Sequence, residues 1–437
     1  MTLFANSAAP VQRLLLHTVP SLSSITGRHL SVSRRGVLPL HVVCMAPDLT
    51  TTSSPRFLGT AAAVAESNRP CATESGNEDA SIMSSSPEQN PVDAVAVMDY
   101  FDSNLDSVTG RLRDDFAASF YQNLGPNERE ILSKRFRNFF NHSVYGGKMT
   151  RSRLSFGVYN SLCRNISPAD AQSALTVVLS IELLQATFLV IDDVMDGGET
   201  RRGKPCWHRM PEVGLTALNH ALRLQNFVNI SIMNAIPNHK NVGPILKTVW
   251  ETIQISSDGQ ELDGLSASSE NCTFDRYRQI VANKTSRYTF YYPMAVALLL
   301  ADETAHLNEV LKISEAFGYF FQAQDDLLDF LDNDTASGKT CCDIREGKCT
   351  WFACKTIEKL ANSPDKLDTF WKCYGSSDPS NVTRAREIML ECDLLADFRL
   401  FERDAIAKLN TQIAEFPLPA VRPALRIILQ GLIGRKK

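Results

Sequence analysis

Residues 171–196, AQSALTVVLSIELLQATFLVIDDVMD, constrain this chain more than any other stretch. They read as one helix of 26 residues, apolar on nearly every side until its acidic end. A helix without a polar face must be surrounded by other helices, because any side left in water would expose oily surface. Similar patterns recur at residues 306–331 (HLNEVLKISEAFGYFFQAQDDLLDFL) and 293–303 (PMAVALLLADE). Alternating strand patterns and Gly-rich strand-to-helix turns are absent. Ser337–Thr340 (SGKT) ends like a phosphate-binding P-loop, but that loop's first glycine would fall at Asn333. The expected fold is all-α, a bundle of about ten helices around a central cavity.

Charge removes several functions from consideration. Lys plus Arg is 45 and Asp plus Glu is 49, a net −4 over 437 residues, without the basic surplus of a nucleic-acid binder. A hydrophobic content of 44% suits a chain that buries a large core. No apolar run reaches the roughly 18–20 residues of a membrane span, so no integral membrane association is expected. Eleven cysteines without a CxxC pair indicate neither a disulfide framework nor a zinc ribbon.

The charge is also uneven. Residues 1–47 hold Arg13, Arg28, Arg34 and Arg35, no lysine and no acid before Asp48, the pattern of a mitochondrial transit peptide. Removing them leaves −8. A second start at Met45 would give a cytoplasmic form. Residues 48–93, rich in Ser, Thr, Ala, Pro and Glu, read as a disordered linker, and 94–437 as one all-helical catalytic domain.

Two acidic clusters carry the chemistry. Asp192, Asp193 and Asp196 are spaced DDxxD, and Asp325, Asp326 and Asp329 repeat the spacing, each ending an apolar helix. At 3.6 residues per turn, the first and last aspartates of each set stack one turn apart. Carboxylates so placed repel unless a cation sits between them, and hard oxygen donors without nearby His or Cys point to Mg²⁺. Six carboxylates and a bound diphosphate would need two or three such ions. Metals there would stabilise charge building on a departing diphosphate.

With GGKMTR at Gly146–Arg151, LLQATFLVIDDVMDGGETRRGKPCW at Leu183–Trp207, GQELD at Gly259–Asp263, Lys284–Thr285, FFQAQDDLLDF at Phe320–Phe330, Lys339, Asp343, Lys348 and the basic end Arg435–Lys437, the chain resembles the trans-type short-chain isoprenyl diphosphate synthases. The likeness is greatest to their eukaryotic farnesyl branch and covers about residues 95–437. It implies an isoprenoid-synthase-like bundle, a homodimer, and two substrates, isopentenyl diphosphate and an allylic diphosphate. It implies that Asp192, Asp193, Asp196, Asp325 and Asp329 bind Mg²⁺ and that Asp326 orients a metal-bound water. Arg201, Lys284 and Lys339 would hold the allylic diphosphate, with Lys348 supporting closure. Lys148, Arg151 and Arg202, helped by Gln185, would bind isopentenyl diphosphate. Thr285 and Gln322 would lie beside the reacting carbons.

Four positions depart from the family pattern. Thr187 replaces the ring that usually floors the product cavity, while Phe188 beside it is kept; a threonine there opens space. Cys341-Cys342-Asp343 stands for Gly-Thr-Asp, Ser152 for a glycine, and Asn219-His220 for Asn-Asp. Because Lys148, Arg151, Gln185 and Arg202 all remain, the resemblance implies elongation to geranyl or farnesyl diphosphate. The alternative is a terpene synthase that ionises geranyl or farnesyl diphosphate to a cyclic or acyclic terpene. A non-catalytic partner subunit is disfavoured, because it need not keep six carboxylates.

Overall fold

In the computed structural model the described residues are 91–120, 123–163, 166–266, 271–331 and 342–435, with the side chains of 91–97 and 342 excepted. The expected transit peptide, all but the end of the expected linker, Lys339 and Cys341 lie outside them.

Helices α1 (Pro91–Ala118), α2 (Pro126–Ser143), α3 (Thr150–Leu162) and α4 (Pro168–Met195) come first. Helix α1 takes in the last residues assigned to the linker, since proline's fixed φ suits a first helical turn. A small hairpin follows, β1 (Thr200–Arg201) antiparallel to β2 (Lys204–Pro205), with Thr200 opposite Pro205 and Arg201 opposite Lys204. Then come α5 (Thr216–Ala235), α6 (Val242–Gly264), α7 (Phe274–Ile280), a π-helix at Val281–Tyr291, α8 (Tyr292–Leu300) and α9 (Leu307–Leu331). Helices α10 (Cys342–Glu346), α11 (Trp351–Leu360), α12 (Pro364–Cys373), α13 (Pro379–Glu391), α14 (Leu394–Glu415) and α15 (Arg422–Leu432) complete the order. The all-α class holds, but the estimate of about ten helices is revised upward. Prolines at the starts of α12 and α13 divide the C-terminal third into short helices that a periodicity count merges.

Helix α4 sits at the centre, packed on α3, α5 and α8. Ser167 caps it, its hydroxyl accepting the Asp170 N–H at 3.1 Å, and Pro168 follows at the first turn. The expectation that no segment could span a bilayer needs correction. Helix α4 is long and apolar enough to do so, although 78% of its most apolar window is buried inside the protein. Its oily surface is already covered by neighbouring helices.

A second apolar cluster lies under the C-terminal end of α9. Phe330, Phe352 and Phe398 stack in sequence, with ring centroids 4.7 and 5.5 Å apart, and Trp351 packs edge-on to Phe398. This cluster joins α9 to α11 and α14.

The π-helix packs against both α6 and α9. Glycines allow the approach: a Cβ at Gly259 would collide with the backbone of Asn283 and Lys284, and one at Gly318 with Ser286. The glycine of the GQELD motif thus lets α6 lie against the segment carrying Lys284 and Thr285.

Candidate active site

Both acidic clusters lie at helix C-termini, where unpaired carbonyls already carry partial negative charge. Aspartates are therefore doubly disfavoured there, and nearby cations offset them. At the end of α4, Arg201 of β1 donates to Asp193 Oδ1 from Nε at 2.9 Å and from Nη2 at 2.6 Å, and reaches Asp192 Oδ2 at 3.2 Å. Lys284 Nζ lies 2.6 Å from Asp263 Oδ2 and 3.6 Å from Asp192 Oδ1. Lys348 Nζ lies 3.1 Å from Asp196 Oδ2 and 3.2 Å from Glu346 Oε2.

Burial opposes ionisation of Asp192, but Lys284, Lys348 and Arg201 outweigh it and hold its carboxyl below the usual range. Burial wins at Asp196 and raises it. Burial would lower Lys284 and Lys348, yet the carboxylates around them, Asp263 foremost, push both up and keep them cationic.

The second cluster is built differently. Asp326 is buried and accepts three hydrogen bonds from neutral donors. These are the Tyr277 hydroxyl and the Trp351 N–H, both on Oδ2 at 2.8 Å, and Gln322 Nε2 on Oδ1 at 3.0 Å. Burial outweighs those bonds and pushes its carboxyl up to about 7. Arg435 Nη2 donates to Asp325 Oδ1 at 2.8 Å, and the Asp343 N–H to Asp329 Oδ2 at 3.2 Å. Burial, then Asp329 and Asp326, push Asp343 well up.

The π-helix links the two ends. Lys284 reaches Asp192, while its neighbour Thr285 donates its hydroxyl to Gln322 Oε1 at 2.6 Å, one turn before Asp326. A π-helix is a rare element found frequently at functional sites, and here its adjacent residues Lys284 and Thr285 reach α4 and α9. Sequence periodicity does not reveal it.

A second cationic group lies along α3 and the hairpin. Gly146 (φ 88°) and Met149 (φ 51°) take left-handed backbone around the exposed Lys148. Arg151 donates to Thr289 Oγ1 at 2.8 Å and lies 4.5 Å over the Tyr288 ring, which itself meets Phe188 edge-on at 5.3 Å. Arg202, also left-handed at φ 53°, donates to the Tyr145 carbonyl at 3.2 Å. Gly147 lies against its guanidinium, and burial lowers its pKa. A cavity of about 80 Å³ runs between Gly146, Arg202, Arg201 and Asp193. Gln185 is buried in α4, and its Oε1 has no hydrogen-bond partner among the described residues. A buried amide oxygen left so is costly.

Three departures acquire physical accounts. Ser152 is fully buried, and its N–H and hydroxyl both reach Glu182 Oε1 at 3.0 Å. His220 accepts the Trp207 Nε1–H at 3.0 Å on Nδ1, and burial pushes it down to about 4, so the ring is neutral. Thr187 is fully buried and bonds back to Leu183 O at 3.1 Å, within its own helix.

The structure thus brings Asp192, Asp193, Arg201, Lys284 and Lys348 together, and Thr285, Gln322 and Asp326 beside them. Sequence reasoning assigned no role to Asp263, Tyr277 or Glu182. Only GQELD offered a signal, since a lone acid on a helix face is otherwise ordinary.

The site's chemistry suits Mg²⁺. Its donors are carboxylate oxygens on two helices, Asp192 Oδ1 is buried with no hydrogen-bond partner among the described residues, and burial raises Asp196 and Asp343. Arg201, Lys284 and Lys348 pair with carboxylates of the same site.

A family model described as polyprenyl synthetase matches residues 133–391. The farnesyl pyrophosphate synthase of Rattus norvegicus is 32% identical over 324 residues, covering 72% of this chain and 91% of that protein. Farnesyl pyrophosphate synthase 1, mitochondrial, of Arabidopsis thaliana is 31% identical over 319 residues, covering 71% and 82%. Among solved structures, T. brucei farnesyl diphosphate synthase complexed with risedronate superposes with a TM-score of 0.70 at 26% identity, covering 78% of this chain and 100% of that one.

Proposed function

The chain belongs to the polyprenyl synthetase family, and we propose that it joins isopentenyl diphosphate head to tail with dimethylallyl and then geranyl diphosphate, giving farnesyl diphosphate. It is a short-chain trans-prenyltransferase. The observation that carries this reading is the presence of two separate cationic groups. Arg201, Lys284 and Lys348 are engaged with carboxylates, whereas Arg151 and Arg202 bond to Thr289 and the Tyr145 carbonyl. A condensing enzyme holds two diphosphates; one that only ionises a single prenyl diphosphate has no use for the second group.

In this mechanism Asp192, Asp193, Asp196, Asp325 and Asp329 would hold Mg²⁺, and Asp326 would orient a metal-bound water. When bound, that metal offsets the charge between carboxylates and the allylic diphosphate and stabilises the leaving diphosphate. Arg201 and Lys284 turn from Asp193 and Asp263 toward diphosphate oxygens, where a guanidinium fork and an ammonium suit the charge. Lys339, adjoining this end of α9 in sequence, joins them. Lys348 bridges toward Asp196 and supports closure.

Lys148, Arg151 and Arg202 hold the diphosphate of isopentenyl diphosphate, with the open Gln185 oxygen beside it. Thr285 gives its hydroxyl hydrogen to Gln322, so the oxygens of both side chains supply negative dipole ends for a carbocation. The apolar helices around the site exclude water that would quench the cation. The isopentenyl double bond attacks the cation, and the proton lost afterwards goes to the released diphosphate.

The N-terminal arginine pattern and the mitochondrial relative together support a mitochondrial address. The exposed row Leu215, Leu218 and Leu222 at one face of α5 supports a homodimer.

The test is incubation of the full chain with Mg²⁺ and either both C5 diphosphates or farnesyl diphosphate alone. Geranyl and farnesyl diphosphates are expected in the first tube and unchanged substrate in the second. Volatile hydrocarbon or alcohol in the second, with no elongation in the first, would overturn the reading in favour of a terpene synthase.

A further inference from the structure

Away from the carboxylates, three thiols converge from two separate segments. Cys272 precedes Thr273, the cap of α7; Cys349 precedes Thr350, the cap of α11; and Cys354 lies in the opening turns of α11. All three are buried, at no more than 3% exposure. Their sulfurs lie within 4.8 Å of one another, with Cys349 and Cys354 at 3.6 Å. Among the described residues this is the one group of His, Cys, Asp or Glu whose ligand atoms are gathered that closely.

A lone buried thiol packs as a small hydrophobe. Three sharing one point crowd polarizable atoms where aliphatic carbon would fill the space without a hydrogen to place. The spacing fits a metal instead. Zinc–sulfur bonds of about 2.3 Å set the sulfurs of a tetrahedral or trigonal site roughly 3.8–4.0 Å apart. A disulfide needs about 2.05 Å, far shorter than the separation here. Sulfur donors select soft cations over Mg²⁺ or Ca²⁺. The start of α11, where two of the thiols sit, also favours negative charge left on a metal–thiolate group.

The position gives the cluster a consequence. Cys349 directly follows Lys348, whose ammonium holds Asp196, and lies two residues before Trp351, whose N–H holds Asp326. Tyr374 donates its hydroxyl to the Lys348 carbonyl at 2.6 Å on the same short segment.

We propose that Cys272, Cys349 and Cys354 bind one thiophilic d¹⁰ cation, Zn²⁺ or Cu⁺, which ties the start of α7 to the segment carrying Lys348. Each thiol releases its proton as its sulfur binds, and no oxidant is involved. Three thiolates complete a trigonal Cu⁺ site; Zn²⁺ takes a fourth ligand. Sequence reading missed the site because the three cysteines carry no motif spacing.

The test uses the full-length protein under reducing, anaerobic conditions with excess Mg²⁺ to occupy the carboxylates. One arm is supplied with Zn²⁺ and the other with Cu⁺, and bound metal is measured by elemental mass spectrometry after dialysis. About one ion per chain is expected in at least one arm, falling roughly tenfold or more in Cys349→Ala and in Cys354→Ala. Retention far below one ion in both arms, or equal retention by the variants, would overturn the proposal. Because those variants can unfold, the wild-type protein is also alkylated with and without a chelator. Greater labelling of Cys272, Cys349 and Cys354 with chelator supports the site, and equal labelling refutes it. Neither readout depends on prenyl transfer, so its failure is separable from failure of the proposed activity.

Discussion

At the end of α4, Asp192 and Asp193 face a guanidinium and an ammonium; at the end of α9, Asp326 faces a phenol, an amide and a backbone N–H. The two sites have the same DDxxD spacing at the same kind of helix end. Their electrostatics diverge because their neighbours do. Full charges overcome the burial cost at Asp192, whereas neutral donors leave burial dominant at Asp326. Asp192 is thereby held below the usual carboxylate range, while Asp326 is raised above it. Equal spacing thus fixes equal geometry along the helix but not equal protonation.

The largest effect expected is at the first cluster. Asp192→Ala should lower kcat for condensation by roughly a thousandfold, measured as labelled farnesyl diphosphate formed at saturating Mg²⁺. An undiminished rate would remove Asp192 from the metal assignment.

Asp326→Asn should cost less, roughly a hundredfold in kcat, since it chiefly disturbs Gln322 and through it Thr285. Equal losses for Asp192→Asn and Asp326→Asn would erase the difference between the sites. A pH series on metal-free protein sharpens the same contrast. Asp326 binds its proton more tightly folded than unfolded, so its contribution to stability is full below about 4 and lost as pH rises toward about 7. The Asn variant should lack that downward slope in urea unfolding midpoints.

His220 works in the opposite sense. Its folded pKa, depressed to about 4 by burial, lies below the ordinary 6.5, so the unfolded chain takes up the proton first. Stability is full above about 6.5 and falls as pH drops toward 4, by on the order of 3 kcal/mol. Protonation also removes the acceptor of the Trp207 N–H. His220→Asn should flatten that acid limb, read as the difference from the parent because the Asp326 slope opposes it. An unchanged limb would place the titrating group elsewhere.

The smallest change expected is in product distribution. Thr187→Phe should shift products from C15 toward C10 by several-fold with little loss of total turnover, the discrimination available from a few methylene-sized contacts. Chromatography of dephosphorylated products reads it. An unchanged distribution would mean that Thr187 does not floor the cavity.

Much of the site could be read from residue order because its ligands lie on regular helices. DDxxD at 3.6 residues per turn puts its carboxylates together whatever surrounds them, and the apolar run through α4 requires burial anywhere it occurs. Lys284, Thr285 and Gln322 were found through the motifs that carry them. Tyr277, Asp263 and Glu182 meet their partners across long sequence separations, as Cys272 meets Cys349 and Cys354. Local periodicity holds no record of such contacts. The π-helix was hidden for a related reason. Its widened turn is stabilised by contact with α6 and α9 at Gly259 and Gly318, not by any preference of VANKTSRYTFY itself.

By itself the sequence determined the all-helical class, the central place of α4 and the six carboxylates at two helix ends. These follow from local periodicity and from the cost of exposing apolar surface or massing like charges. Only the tertiary structure decided which carboxylates burial raises and cations lower, which cations stand beside them, and where sulfur gathers. Those properties depend on distances between segments remote in sequence, and the energies of charges and of metal–ligand bonds change steeply over a few ångströms.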